Sequence, residues 1–465
     1  MLCVAHHRGI GRRVSPAAVV LGLTLLSVLL GFAQKYPCHD GHPSEGVLWK
    51  KFCYSDILPL YSGRGLSEGQ LPYLDHDPRH QDVEYPVLIG GLMAAVGVPV
   101  HALGRSGALL TMARAVGFET ADEGIVFYWG TALVLGALAM VTSWALLRCR
   151  ERRPWDVAMF ALAPGLVFAG SINWDMLAVS LATLAMLAWA RERPALAGAL
   201  LGLGAAAKFY PFLVLGPLVV LCLRAGTPAA RRAAGLAVAA AIGAWSVVNV
   251  PIALLAPHGW AEYYRFSASR WIDWGTLWYI ADHMLQGSFG RALVHTLAGD
   301  VHALNISSQL AFLTCCVGIA ALIWFAPTRP RMGAMAFLVI AAFLLTNKVW
   351  SPQFVLWLIP MAVLARPRWG FFLIWQVVEL GYLMCELRVS LGVAGSAFAH
   401  EQASVARWLC VAVLAGLVVA EALHPERDVV RAGGLDDPEG GVLTARSAPP
   451  ELVPADADLG QQVAQ

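Results

Sequence analysis

Residues 36–86 read YPCHDGHPSEGVLWKKFCYSDILPLYSGRGLSEGQLPYLDHDPRHQDVEYP, a polar stretch between greasy segments. Its acidic residues are the first chemical candidates, above all Asp56. A carboxylate within hydrogen-bond reach of a hydroxyl can take its proton as the oxygen attacks. Other ionisable residues stand inside or beside apolar runs: Asp175 in NWD, Lys208 in AAAKFYP, Lys348 in TNKVWSPQ and Glu379 in QVVELGY. Arg270 and Asp273 lie in a second polar stretch, 257–304. A charge near a bilayer is costly and points to function by default. Lys and Arg placed where negative charge grows can stabilise a phosphate leaving group, Arg by bidentate contact and Lys as a point charge.

Each candidate also has a plain structural reading. Lys208 and Lys348 could reach up to the headgroups from helix ends. Asp175 could cap the helix that follows it, and Asp56 the helix that begins at Ile57. Glu379, in mid-helix, reads as the partner of a Lys or Arg. The run DHDPRHQDVE offers Asp75, His76, Asp77, His80, Asp82 and Glu84 as metal ligands, but without specific ligand spacing; a solvated acidic loop is the favoured reading.

Composition dictates what positions these residues. Of 465 residues 58% are hydrophobic and only 14% charged, against about a quarter in soluble domains; mean hydropathy is +0.61. This is an all-α polytopic membrane protein. The net charge of +2 argues against a nucleic-acid partner. Many of the 17 Trp lie near segment ends, where the ring suits the headgroup layer.

The basic start MLCVAHHRGIGRR and the apolar run 19–33 could be a signal peptide cut after Ala33, but a retained first helix is preferred among so many hydrophobic segments. The positive-inside rule then puts residues 1–14 in the cytoplasm and 34–124 outside. If 87–110 spanned, Arg148, Arg150, Arg152 and Arg153 would fall outside, so that run is read as interfacial helices. Spans follow at 125–147, 155–170, 176–190, 195–207, 209–223, 233–255, 306–325, 334–346, 354–365, 371–385 and 405–423, about twelve with the first. Residues 424–465 read as a disordered cytoplasmic tail. Cys38 and Cys53 both lie in the outer loop, where thiols oxidise, and are expected to pair. The remaining cysteines in apolar runs read as small buried hydrophobes.

The strings CYSDILPLYSGRGL, LPYLD, EYPVLIGG, INWDMLAVSLA, AAAKFYPFLVLGP and NKVWSPQFVLWLIP together resemble the multispanning GT-C glycosyltransferases, and among them glycosyltransferase family 87, known from actinobacteria. The resemblance runs from about Ser15 to about Leu423. It implies an inverting transfer of a sugar from a polyprenyl-phosphate donor to a lipid or glycan acceptor at the outer face of the plasma membrane. In that pattern an acidic residue of the first outer loop is the general base, and Asp56 holds the position. Members of this branch are often mannosyltransferases, which makes mannose the expected sugar. Glu84, Tyr85, Asp175, Lys208, Tyr210, Arg270, Lys348 and Gln353 are the expected substrate-binding residues, with Lys208, Lys348 and Arg270 converging on the phosphate and Asp175 on the rim. No cofactor or metal is expected. Two other readings stay open: a transporter or flippase of a lipid-linked sugar, and a catalytically inactive partner in envelope assembly.

Overall fold

The computed structural model describes residues 15–38, 50–115, 121–283 and 299–444, with the isolated positions 47 and 292. Every element among them is helical. Among the described residues seven helices are long and apolar enough to cross a membrane, and five shorter apolar helices accompany them. The chain is thus a polytopic helical membrane protein.

Local signals set the helix starts. In α1 (Pro16–Lys35), Ser15 accepts from the Ala18 amide and Pro16 opens the first turn. A short α2 (Ile57–Gly63) and an apolar α3 (Val87–Arg105) follow. Asp122 caps α4 (Glu123–Cys149). Then come α5 (Asp175–Ala190), α6 (Pro194–Ala207), α7 (Leu215–Ala225) and α8 (Pro228–Leu255), the last capped by Thr227. Next are α9 (Pro257–Ser269), α10 (Val301–Phe325) and α11 (Met332–Thr346). The bundle closes with α12 (Val355–Ala365), α13 (Trp369–Ser390) and α14 (Ser396–Leu423).

The centre of the bundle is α12, in which every residue is buried, and α11, which is nearly so. Helices apolar all round belong inside. Four Trp are packed inside the bundle and do not face a headgroup layer: Trp174, Trp189, Trp350 and Trp375 are among the largest fully buried side chains. Helices α6 and α8 meet through small residues. A methyl added at Gly198 or Gly202 would lie 1.9 or 2.1 Å from the carbonyl oxygen of Ala237 or Ala241. Close backbone approach of this kind drives helix association where lipid removes the hydrophobic incentive. Gly202→Val is therefore expected to destabilise the folded protein by about 1–3 kcal/mol or more, read as a lower thermal midpoint in detergent, whereas Gly235→Val, with open space around it, should be near neutral.

Both ends of α3 are tied to α2. At one end Arg64 grips Glu84 at 2.6 and 2.7 Å. At the other, His101 lies 3.6 Å from Glu123, which also accepts the Tyr61 hydroxyl at 2.9 Å. Tyr61 and Arg64 are one turn apart, so the region of α2 fastens the flanks of α3, a helix that by length and composition is among the seven able to cross a membrane.

Two expectations need correction. Residues 155–170 are not one span but Pro154–Val157, Ala158–Ala161 and Pro164–Ala169. Pro164 cannot extend a helix and holds Ala163 extended, with ψ 123°. The tail is not disordered over 424–444: Val430, Leu443 and Glu439 are buried there. Asp428 pairs with Arg331 at 2.6 Å, and Glu439 lies 3.4 Å from the buried Arg150. Arg150, read only as an orientation signal, thus anchors the tail together with Arg331. Its remainder, 445–465, lies outside the described residues. Cys38 and Cys53 form a disulfide with a Cα–Cα distance of 5.8 Å; a 15-residue loop closed this way contributes about 3 kcal/mol in the chain-entropy account.

Candidate active site

A cavity of about 570 Å³ opens where the loop before α2, the start of α3, the ends of α6 and α9, and the segment joining α11 to α12 converge. Asp56, Glu84, Tyr85, Lys208, Tyr210, Arg270, Lys348 and Gln353 all line it. Asp175 does not.

Asp56 is held by its backbone. Its amide donates to the Ile172 carbonyl at 2.8 Å, and Ser55 Oγ donates to the Ser171 carbonyl at 2.8 Å. The carboxylate makes no capping bond to α2; Ser55 Oγ instead accepts from the Ile57 amide at 3.2 Å. Freed from capping, Asp56 faces the cavity. Tyr54 donates its hydroxyl to Oδ1, and Asn173 Nδ2 donates to Oδ2 at 2.9 Å. Burial raises the Asp56 carboxyl above the ordinary aspartate range, while the bonds from Tyr54 and Asn173 and the charge of Lys208 pull the other way.

Asn173 is the hub that sequence reasoning missed. Besides Asp56, its Nδ2 donates to the Tyr85 hydroxyl at 2.7 Å. Its Oδ1 accepts from the Trp174 amide at 2.7 Å and from Lys208 Nζ at 3.5 Å. It thereby joins the acid to the cation across two loops. The signal available in the sequence is its place beside Asp175 in INWD, where an amide looks like any residue favoured near a helix start.

The three cations differ in what they hold. Lys208 Nζ lies 3.6 Å from Asp175 Oδ2 and 4.9 Å above the Tyr85 ring. Lys348 donates to the carbonyls of Ala268 at 3.2 Å and Arg270 at 2.5 Å, closing the C-terminal end of α9. Burial, then the nearby Arg270, lowers its ammonium to about 8. Arg270 pairs with Asp273 at 3.1 Å and remains 35% exposed at its side chain, the most open of the three. The expected rim position of Asp175 is a correction. It is fully buried under the floor, where Trp357 Nε1 donates to it at 2.7 Å. It opens α5 and goes inward because Lys208 and Trp357 offer it partners there. Trp357 also stacks on Tyr210, with centroids 4.4 Å apart.

Asp273, noted beside Arg270 in the second polar stretch, also lines the cavity, and other lining groups were not anticipated: Tyr54, Tyr263, Phe266 and Glu386. Glu386 follows Glu379 by one heptad on α13, the one available hint. Glu379 itself is a structural residue, paired with Arg407 at 2.8 Å.

A carboxylate raised by burial can deprotonate a hydroxyl, and cations beside it can stabilise a departing phosphate. A carboxylate can act as a base only when ionised, which for Asp56 sets the pH dependence expected of that role. Since its folded value is raised, kcat/KM should fall as pH drops through a limb above the ordinary value of about 3.9. Tyr54→Phe removes a bond that favours the anion, so the limb should move to higher pH. A limb at the ordinary value, unmoved in Tyr54→Phe, contradicts this reading.

The sequence profile of glycosyltransferase family 87 matches residues 106–347, just over half of the chain. That stretch holds Asn173, Asp175, Lys208, Tyr210 and Arg270, and lies between Asp56 and Lys348. No curated protein matches the chain at a significant level.

Proposed function

The chain belongs to glycosyltransferase family 87, and from that premise we propose that this membrane glycosyltransferase moves a sugar, expected to be mannose, from a polyprenyl-phosphate donor to a hydroxyl of a lipid or glycan acceptor. Asp56 is the general base. Lys208 and Arg270 meet the donor phosphate, and Lys348 holds the wall that carries Arg270. The observation that carries the reading is the Asp56–Asn173–Lys208 chain, which sets a proton acceptor and a cation on one cavity. Phe209, half exposed beside Lys208, suits contact with an isoprenoid. The acceptor oxygen attacks the anomeric carbon, Asp56 takes its proton, and the sugar–phosphate bond breaks with the electron pair leaving on the lipid phosphate.

The orientation proposed puts the cavity on the outer face of the plasma membrane, with residues 1–14 and the C-terminal segment from 424 in the cytoplasm. A cysteine at position 79 should react with an impermeant reagent from outside, and one at position 152 should not; the reverse pattern overturns the orientation. The functional reading is tested by the lipids and glycans of cells lacking the protein. One product should be missing, with its precursor, one hexose lighter, accumulating and restored by the wild-type chain. An unchanged profile counts against an enzyme and favours the structural partner.

A further inference from the structure

Two residues of the first polar loop meet one from α9 far along the chain. His76 Nδ1 lies 2.9 Å from Asp82 Oδ1, and His258 Nδ1 lies 3.4 Å from Asp82 Oδ2. One ligand atom from each residue falls within 4.8 Å of the others. Tetrahedral Zn²⁺ with bonds of about 2.0–2.1 Å sets its ligand atoms roughly 3.3–3.4 Å apart, so a small closing movement completes three coordination positions. We propose that His76, Asp82 and His258 form a site for Zn²⁺ or a chemically similar divalent transition metal, which clasps the first polar loop to α9.

The donor set selects the metal. Two imidazoles and one carboxylate suit Zn²⁺ and its borderline neighbours, whereas Mg²⁺ and Ca²⁺ seek oxygen ligands. The His76 and His258 side chains are 62% and 67% exposed, free to turn towards an incoming ion, with solvent for a fourth ligand. A neighbouring cluster, Glu68, Asp77 and His80, also has ligand atoms in reach. Arg79 already occupies it, at 2.7 Å from Glu68 and 2.6 Å from Asp77, and its charge opposes a metal. Among the described residues Asp82 meets the two histidines, and no Lys or Arg pairs with it.

The site's position gives it a consequence. Helix α9 begins at Pro257 and carries Tyr263, Phe266 and Ser267 to the cavity wall, ending against Arg270. Arg265 fixes the His258 carbonyl at 2.8 Å. A metal held by His258 therefore fastens one wall of the cavity to the loop that carries Asp56 and Glu84.

The test uses the full-length protein in detergent, with Zn²⁺ as the probe. One Zn²⁺ per chain should bind and raise the thermal midpoint, and Mg²⁺ at the same concentration should not. His76→Ala and His258→Ala should each weaken binding by at least about tenfold, since even the outer-shell partners of metal ligands are worth that much. His80→Ala should leave it unchanged. Zn²⁺ should also slow amide exchange in residues 257–269 of the wild type but not of His76→Ala, whose substitution lies on the other loop. Binding that survives His258→Ala or is lost in His80→Ala overturns the site. Binding that leaves exchange in 257–269 unaltered overturns the clasp.

Discussion

Asp56→Asn protein, folded and inserted, is expected to transfer sugar about a hundred to ten thousand times more slowly than the wild type, the usual cost of losing a general base. The substitution keeps the shape and can keep the contacts with Tyr54 and Asn173. It removes the charge and the proton-accepting oxygen. Because Asp56 makes no capping bond, the loss cannot be assigned to fraying of α2, and thermal stability should be nearly unchanged. Glu84 is a poor substitute base, since Arg64 holds both of its oxygens. A variant that transfers at the unmutated rate would move the role away from Asp56.

Arg407→Ala should be the most destabilising single change. The guanidinium is fully buried, bonds Glu379 at 2.8 Å, and donates to the carbonyls of Trp350 at 2.8 Å and Ser351 at 3.1 Å. It also lies 4.4 Å over the Trp350 ring and 4.3 Å over that of Tyr382. Truncation strands the Glu379 carboxylate in the bundle, and breaking a buried pair this way costs about 3–5 kcal/mol. It also releases the segment that carries Lys348 and Gln353 into the cavity. Thermal unfolding should show the loss, with part of it recovered by combining Arg407→Leu with Glu379→Leu. A midpoint for Arg407→Ala close to the wild type would contradict this account.

The fold class was readable because apolar runs in lipid have few options beyond helices. The candidate site was readable where charges stand out against an apolar background, as Lys208 and Lys348 do, and where the family pattern marks one acid of a polar loop, Asp56; all three line the same cavity. Asn173 was not, since an uncharged amide near a helix start looks like any cap; its role exists only once Tyr85, Asp56 and Lys208 surround it. Asp175 was misplaced because position along a helix does not reveal depth, which depends on partners such as Trp357. The ordered tail has a polar composition, and the buried Arg150 and Arg331, which pair with Glu439 and Asp428, help to fold it. His258 pairs with a loop far away in sequence, so no local spacing could mark the cluster.

The central claim is that this cavity draws sugar from a lipid-linked phosphate donor. The most direct measurement is transfer by the purified protein in vesicles, supplied in parallel with labelled polyprenyl-phosphate mannose and with a labelled nucleotide mannose, each with extracted envelope lipids as acceptors. Label should pass from the polyprenyl donor to an acceptor in the wild type and fail to do so in Asp56→Asn. Transfer from the nucleotide sugar alone, or from the polyprenyl donor equally in both proteins, would contradict the account.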